Sequence, residues 1–394
     1  MHRSCALALL VFSLGAASAS AATVSGKVTP FNEDGERFGA VRFTAAPGEQ
    51  NRVRVRMRGR RAIIFHDAAS ALTVKGQCVA VDRHTARCPT TDSKRFPVVR
   101  LGDGDDRATV TMDAFEGPVL GGEGDDTLAA RGPYAAFFSG GPGDDVLRGA
   151  GGRDELTGGP GSDVVSGGPK SDRLVDGESE ANAARDTYVG ESRADTVDYE
   201  LRSAPLTIDL AQGTTSTGDT FTDIKSVSGG SGADRLTGDA GANTLVGGRG
   251  DDVISGGDGH DALYGSQGDD MIAGDDGEDT IGGEPGDDVL GGGAGDDRMD
   301  GGLGDDAVGG EDGDDDLIGA EGVDLLVGGA GDDRLESLEE KYTPTPIAAD
   351  HLVCGDGADR IFSDDKDIAE TDCDRHVLKY SDSLTMPTIP VFGQ

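Results

Sequence analysis

Aspartate recurs at every ninth position over a long stretch of this 394-residue chain, and regularly spaced carboxylates can act as ligands for a metal cation. From Gly229 to Glu336, twelve nine-residue units follow one another without a gap. Positions 1 and 4 are always Gly, position 6 is Asp in eleven units and Asn in one, and position 8 is Leu, Ile, Val or Met. The units are GGSGADRLT, GDAGANTLV, GGRGDDVIS, GGDGHDALY, GSQGDDMIA, GDDGEDTIG, GEPGDDVLG, GGAGDDRMD, GGLGDDAVG, GEDGDDDLI, GAEGVDLLV and GGAGDDRLE.

The same period occurs outside this block. Between Gly140 and Val175 stand four further units, GGPGDDVLR, GAGGRDELT, GGPGSDVVS and GGPKSDRLV. Single units surround Asp106 and Asp126, and another, CGDGADRIF, begins at Cys354. The repeat therefore extends, with interruptions, over most of the chain from residue 101 onward.

The repeat also specifies the elements that would position the carboxylates. Positions 7 to 9 predict a three-residue strand with one aliphatic side chain pointing inward, and positions 1 to 6 predict a Gly-rich turn that ends in Asp. Two units make one coil, and coils stack at about 4.8 Å, so twelve units would rise roughly 29 Å. One aliphatic residue in nine gives a thin core, which cannot by itself offset the entropy cost of ordering so much glycine.

Charge makes a cation necessary. Stacking places carboxylates above one another, and they repel unless a cation lies between them. Calcium accepts six to eight oxygen ligands in irregular geometry, whereas magnesium requires a tight octahedron. Soft metals prefer Cys or His, and the repeats contain only His260. The pattern therefore favours calcium.

The repeat GGxGxDxUx resembles the hemolysin-type, or repeats-in-toxin (RTX), calcium-binding motif. The resemblance implies an all-β fold, a parallel β-roll or β-helix solenoid, with several calcium ions between the loops of successive coils. It also implies that the position-6 side chain is the main ligand, joined by loop carbonyls. If each ion bridges two loops that lie two units apart, the twelve units of the main array offer at most about ten sites.

Carried over by this resemblance, the metal ligands of the main array are Asp234, Asn243, Asp252, Asp261, Asp270, Asp279, Asp288, Asp297, Asp306, Asp315, Asp324 and Asp333. In the upstream block they are Asp145, Asp154, Asp163 and Asp172. Asn243 has no charge, which predicts a weaker site, and Lys170 replaces the position-4 Gly before Asp172. The second Asp of many units, as in Asp251, is expected to be solvated.

The two ends of the chain indicate export. A short basic start, an apolar run from Ala6 to Ala17 and the motif Ala19-Ser20-Ala21 predict a cleaved signal peptide, which members exported by type I secretion lack. No segment is apolar enough to predict a transmembrane anchor. Four cysteines remain after cleavage, and the simplest disulfides join Cys78 to Cys88 and Cys354 to Cys373.

We predict six segments: a signal peptide (1–21), a small β-rich N-terminal capping region (22–100), a first repeat block (101–175), longer solenoid turns without the metal-loop motif (176–228), the main array (229–336), and a disulfide-stapled C-terminal cap with a loose tail (337–394). Lys and Arg outnumber Asp and Glu in the N-terminal region. There the alternation from Arg52 to Arg58 predicts a strand with one basic face, which either contacts the acidic solenoid or binds an acidic polymer.

Composition and motifs exclude several classes of function. A net charge of −39 argues against nucleic acid as a partner. The chain has neither His-Glu-x-x-His nor Gly-x-Ser-x-Gly, and its few histidines, such as His66 and His84, suit structural roles, so we predict no enzyme activity. We expect a secreted calcium-binding protein with a structural or surface-interaction role. The alternatives are a calcium-dependent adhesin or matrix scaffold that meets a cell surface or polysaccharide, and the non-catalytic module of a secreted hydrolase. The oligomeric state stays open.

Overall fold

A computed structural model of the chain describes residues 22–28, 39–57, 62–69, 72–76, 79–89, 98–111, 117–178, 184–192, 195–337, 349–363, 367–369 and 373. All regular elements in these residues are strands, and no helix that could span a membrane occurs among them. The signal peptide that the sequence predicts lies outside the described residues.

Seven strands precede the repeats. They are β1 (Ala22–Val28), β2 (Gly39–Thr44), β3 (Arg52–Met57), β4 (Ala62–Asp67), β5 (Leu72–Gly76), β6 (Val79–Asp82) and β7 (Thr85–Pro89).

Nine strands belong to the first repeat block. They are β8 (Val98–Asp103), β9 (Arg107–Thr111), β10 (Pro118–Glu123), β11 (Thr127–Arg131), β12 (Phe137–Ser139), β13 (Val146–Arg148), β14 (Glu155–Thr157), β15 (Val164–Ser166) and β16 (Arg173–Val175). The segment without the motif contributes β17 (Thr187–Val189), β18 (Thr196–Asp198), β19 (Thr207–Asp209), β20 (Thr214–Thr215), β21 (Thr220–Thr222) and β22 (Ser226–Ser228).

The main array and the C-terminal region contain the remaining strands. They are β23 (Arg235–Thr237), β24 (Thr244–Arg249), β25 (Val253–Gly259), β26 (Ala262–Gln267), β27 (Met271–Gly277), β28 (Thr280–Pro285), β29 (Val289–Ala294), β30 (Arg298–Leu303), β31 (Ala307–Asp312), β32 (Asp316–Glu321), β33 (Leu325–Ala330), β34 (Arg334–Glu336), β35 (His351–Asp356), β36 (Arg360–Phe362) and β37 (Ile368–Ala369).

The strands form a parallel β-solenoid of about 14 turns, which confirms the predicted fold class. Even-numbered strands from β8 onward, except β20, build one sheet (sheet I), and β20 together with the odd-numbered strands from β9 onward builds the other (sheet II). Within the main array each strand pairs in parallel with the strand 18 residues later, so Leu245 lies beside Leu263 and Ile254 beside Ile272. One coil is therefore two nonapeptides, as the repeat length predicts.

The core is a single column of position-8 side chains between the two sheets. Leu263, Leu290, Leu317 and Leu326 of this column are each at most 2% exposed. Their neighbours at positions 7 and 9 point outward, as expected for a period-2 strand. The aliphatic position is thus the only one of the nine that contributes substantially to hydrophobic burial.

The N-terminal strands continue both sheets. β2 pairs in parallel with β8, the first strand of sheet I, and β3 pairs in parallel with β9, the first of sheet II. In β3 the residues Val53 and Val55 are buried, while Arg52, Arg54 and Arg56 are exposed, which confirms the predicted alternation as far as Arg56. The first coil therefore has no free edge at β8 or β9.

A disulfide closes the other end. Cys354, in β35, is bonded to Cys373, with 5.3 Å between their Cα atoms, as the sequence predicts. Cys88 is also disulfide-bonded, and Cys78, its predicted partner, lies outside the described residues.

The segment without the motif keeps the two sheets continuous. In sheet I, β18 pairs in parallel with β16 and β22. In sheet II, β17 pairs with β21, and the antiparallel turn from β21 through β20 to β19 leads to β23. These longer turns are therefore stacked between the two repeat blocks.

The inward and outward leucines of one strand provide a test of the thin core. Leu326 is fully buried and its neighbour Leu325 is 39% exposed. We expect Leu326→Ala to lower the free energy of unfolding in saturating calcium by about 2–5 kcal/mol, because it leaves a cavity in the column, and Leu325→Ala to lower it by less than about 1 kcal/mol. Urea unfolding midpoints measure both. Equal effects would contradict a core of one residue per unit.

Candidate metal centre

The position-6 side chains form two files, one along each sheet. File I precedes the strands of sheet I, and file II precedes those of sheet II. In file II, the backbone N–H of Asp252 donates to Oδ1 of Asp270 at 2.7 Å, and that of Asp270 donates to Oδ1 of Asp288 at 2.7 Å. File I repeats the contact from Asp261 to Asp279. Each carboxylate is thus fixed by the coil before it.

The second oxygen of these carboxylates is buried and has no hydrogen-bond partner within the part of the chain that the structure describes. This holds for Oδ2 of Asp106, Asp126, Asp145, Asp163, Asp172, Asp252, Asp261, Asp270, Asp279, Asp288, Asp297, Asp306, Asp315, Asp333 and Asp359. Buried charged oxygens without a partner are costly, so a regular series of them indicates a missing cationic partner.

The position-1 glycine leaves space beside each of these oxygens. A Cβ added to Gly292 would lie 2.3 Å from Oδ2 of Asp297 and 2.7 Å from the carbonyl oxygen of Gly310, one coil later. At Gly247 the corresponding distances are 2.2 Å to Oδ2 of Asp252 and 2.8 Å to the carbonyl oxygen of Gly265. A carboxylate oxygen and a carbonyl oxygen therefore converge where any other residue would place a methyl group.

The position-4 glycines bring successive loops into backbone contact. Gly304 has φ of +139°, and a Cβ there would lie 1.7 Å from the carbonyl oxygen of Gly286 in the coil before. Among the described residues, no three His, Cys, Asp or Glu side chains gather in one group that could hold a metal. The close approach of the loops brings carbonyl oxygens beside the position-6 carboxylates, and oxygen donors of both kinds suit a hard cation such as calcium.

Burial raises the pKa of these carboxyl groups. It raises the pKa of Asp145 and Asp252 to about 7, that of Asp126 to about 8 and that of Asp163 to about 9. In each case loss of solvation is the largest cause, and the neighbouring carboxylates add to it. Without a cation, the buried carboxyl groups therefore favour the protonated form well above the usual range for Asp.

The position-5 carboxylates have a different role. The backbone N–H of Asp314 donates to Oδ1 of Asp296 at 3.0 Å, and that of Asp305 donates to Oδ1 of Asp287 at 2.9 Å. His260 accepts from the N–H of Glu278 in the same way, through Nδ1 at 2.9 Å. These side chains are exposed and link coils at the surface, so they need no cation.

The structure places the predicted ligands in the two files, but not all in one state. Asp324 continues file II and accepts the N–H of Asp306 at 2.9 Å. Oδ2 of Asp154 accepts the N–H of Ala150, and Oδ2 of Asp234 accepts that of Gly230. Asn243 accepts the N–H of Asp239 through Oδ1. These three differ from the other predicted ligands because a backbone amide of the same loop donates a hydrogen bond to the side-chain oxygen.

The files also contain carboxylates outside the predicted ligand set. Asp106, Asp126 and Asp359 have the same buried Oδ2 as the main array. The signal is present in the sequence, since GGEGDDTLA around Asp126 fits the repeat at every defined position. Isolated units are simply less specific than units in an unbroken register.

The histidines of the N-terminal hairpins have local partners. Nδ1 of His66 lies 2.9 Å from the hydroxyl of Thr85 on the paired strand, and Nε2 of His84 accepts from Nε of Arg83 at 2.7 Å. The first contact joins β4 to β7, and the second lies in the turn between β6 and β7.

The comparisons with known proteins agree with this geometry. Residues 139–174, 228–263, 255–290, 274–308 and 309–338 match the family model of the RTX calcium-binding nonapeptide repeat (4 copies). No curated protein matches the chain. The predicted resemblance is therefore confirmed for these residues.

The raised pKa values predict a pH dependence of the metal-free protein. Between the ordinary Asp pKa of about 3.9 and the folded-state value of about 7, the folded chain holds protons that the unfolded chain has released. Stability without metal is therefore greatest near pH 4 and falls as pH rises to about 7. In calcium-stripped buffer, circular dichroism should show more β-structure at pH 5 than at pH 8. A metal-free roll equally folded at both would contradict this.

Proposed function

Since residues 139–174 and 228–338 carry RTX calcium-binding nonapeptide repeats, we propose that this protein is an exported calcium-binding β-roll that completes its folding when it meets calcium outside the cell. The observation that carries the proposal is the double file of buried carboxylates, most of which have one oxygen fixed by the preceding coil and the other, without a hydrogen-bond partner in the described structure, beside the position-1 glycine. Calcium would supply the positive charge that these oxygens lack.

The ligands that we propose are the position-6 carboxylates whose second oxygen lacks a partner in the described structure, together with Asp324, which has the same place in file II. In the predicted set these are Asp145, Asp163, Asp172, Asp252, Asp261, Asp270, Asp279, Asp288, Asp297, Asp306, Asp315, Asp324 and Asp333. We add Asp106, Asp126 and Asp359. Carbonyl oxygens such as that of Gly310 complete each site.

Export supplies the condition for the switch. RTX repeat proteins are typically secreted, and the predicted signal peptide and cysteine pairs fit an oxidising compartment. Extracellular calcium modules commonly bind in the range of about 10⁻⁴–10⁻³ M, so the roll would stay open in the cytosol and close outside. The role is structural rather than catalytic, since the RTX β-roll is typically a non-catalytic module.

A calcium titration followed by far-UV circular dichroism of the mature chain tests the proposal. We expect a transition to β-structure with calcium at neutral pH and a much weaker response to magnesium, because its octahedral shell fits carbonyl-lined loops poorly. A chain that is fully β-structured in chelator and unchanged by calcium would contradict the proposal.

A matched pair of variants makes this test specific. Asp297→Asn keeps the size of the buried side chain but removes the charge beside the loop carbonyl, so it should raise the calcium midpoint severalfold. Asp296→Asn changes its exposed neighbour, whose Oδ1 only accepts a backbone N–H, and should leave the midpoint nearly unchanged. Equal shifts would mean that general acidity, rather than the buried file, binds calcium.

A calcium-dependent adhesin or matrix scaffold is a second candidate. The exposed row of Arg52, Arg54 and Arg56 favours it, because this basic face adjoins an otherwise acidic rod. The triple variant Arg52→Ser, Arg54→Ser, Arg56→Ser leaves the buried valines of the strand intact and should abolish binding to immobilised acidic polysaccharide in calcium. Unchanged retention of the variant, or no binding by the natural chain, would reject this role.

A further inference from the structure

The position-6 side chains occur in two states, which differ in the partner of the second oxygen. In the open state Oδ2 faces the loop, as in Asp252 and Asp261. In the capped state a group of the protein occupies that oxygen, as the N–H of Gly230 does at 2.8 Å from Oδ2 of Asp234. In a capped loop an amide donates a hydrogen bond to this second oxygen, whereas in an open loop the oxygen has no such donor in the described structure.

The backbone at position 2 of each unit independently separates the two states. In open loops position 2 has positive φ, even where it is not glycine: Ser266 has φ of +87°, Glu284 of +73° and Asp275 of +72°. In the capped loops position 2 is Ala150, Glu191, Gly230 or Asp239, and none of these has positive φ. Turning this residue out of the left-handed region directs its N–H to the side chain at position 6.

Capped side chains are contiguous in file II around the segment without the motif. Oδ2 of Asp186 accepts the hydroxyl of Tyr188 at 2.9 Å. Oδ2 of Asp219 accepts the hydroxyls of Tyr199 at 3.1 Å and Thr217 at 2.9 Å. Burial raises the pKa of both tyrosines well above the usual value, so they remain donors. From Asp186 to Asp234, file II is therefore satisfied by the protein.

File I is satisfied over the same coils. Oδ2 of Asp195 accepts the N–H groups of Glu191 and Ser192 at 2.9 and 3.0 Å. The next member of the file is Lys225, because Thr244 N–H donates to its carbonyl as Val253 N–H does to that of Asp234. Its ammonium group forms an ion pair with Asp239, and the uncharged Asn243 follows.

The segment without the motif also contains a buried guanidinium. The side chain of Arg202 is 3% exposed, and its Nε and one Nη donate to both oxygens of Asp176 at 2.8 and 3.0 Å. The same Nη donates to Glu178 at 2.9 Å. The side chain of Arg202 thus gives these carboxylates the positive charge that a bound divalent ion would supply in the open loops.

From these contacts we propose that residues 184–246 are a metal-independent spacer, in which hydroxyls, loop amides, Arg202 and Lys225 replace calcium. It divides the roll into two separate calcium ladders. The upstream ladder ends at Asp163 and Asp172, and the downstream ladder begins at Asp252 and Asp261, so Asp234 and Asn243 hold no ion although their units fit the repeat. Asp154 is an isolated capped member of the upstream ladder. This inference rests on the proposed calcium binding of the open loops.

The proposal predicts where order persists without calcium. Hydrogen–deuterium exchange of the mature, disulfide-intact chain in chelator should be at least about tenfold slower in peptides from 195–246 than in peptides from 250–336. Calcium should then protect 250–336 and change 195–246 little. If both regions exchange equally fast in chelator and both gain protection in calcium, the proposal of a metal-independent spacer is contradicted, while the proposed calcium binding is supported. If 250–336 gains nothing in calcium, the proposed function itself fails.

Neighbouring carboxylates of file II provide a matched test by ion counting. Asp252→Asn should lower the calcium bound per chain, measured by equilibrium dialysis at saturating calcium, by at least one ion, whereas Asp234→Asn, 18 residues earlier, should leave it unchanged. Equal losses from both variants would overturn the assignment of Asp234 to the spacer.

Removing the buried guanidinium of Arg202 tests the spacer without changing any carboxylate of the two ladders. Arg202→Met should abolish the protection of 195–246 in chelator, while 250–336 still gains protection with calcium. Arg173→Met is the control, since that guanidinium is 38% exposed and pairs with Asp198 and with the exposed Glu200 in the same coils. If both variants keep the spacer protected, Arg202 does not replace a metal there.

Discussion

The stacking of one carboxylate on another in every coil is the constraint on which the rest of this structure depends. Each position-6 Asp is fixed by an amide one coil earlier, so a file of buried charges follows directly from the parallel register. Buried like charges separated by one sheet spacing are unfavourable in a thin core. The loops differ in how they meet this conflict: the capped loops supply protein donors, and the open loops are those to which we assign a cation in the proposed function.

The glycine content follows from the same constraint. At position 1 a side chain would occupy the space between the carboxylate and the next coil's carbonyl, and at position 4 it would collide with the loop before. Position 2 is less restricted in sequence, yet open loops place Ser266, Asp275 and Glu284 in the left-handed region, where non-glycine residues are strained. This strain is concentrated in the open loops and is not found at position 2 of the capped loops.

Much of this structure could be predicted from the sequence, because the repeat encodes it locally. The nine-residue period determines the coil of 18 residues, the buried Leu326 beside the exposed Leu325, and the two carboxylate files. The Cys354–Cys373 disulfide followed from pairing within one end of the chain. The capped state could not be predicted, since GGSGADRLT around Asp234 fits the repeat and its amide cap depends on φ at Gly230. Nor could the role of Arg202, which pairs with Asp176 and Glu178 across 24 to 26 residues without any motif.

The contact between coils also gives the roll a chemical direction. In the main array each position-6 amide donates to the position-6 side chain of the following coil, so each of these coils has a donor that its successor satisfies. The two ends consequently need opposite chemistry. At the start Asn51 presents its N–H to Asp106, and at the finish Asp367 presents an oxygen to the N–H of Asp350. The groups at the two ends therefore cannot be exchanged. A chain that emerges from a pore with its N-terminus first would add coils in one order, in which each added coil supplies the side-chain oxygen that accepts the amide of the coil before it.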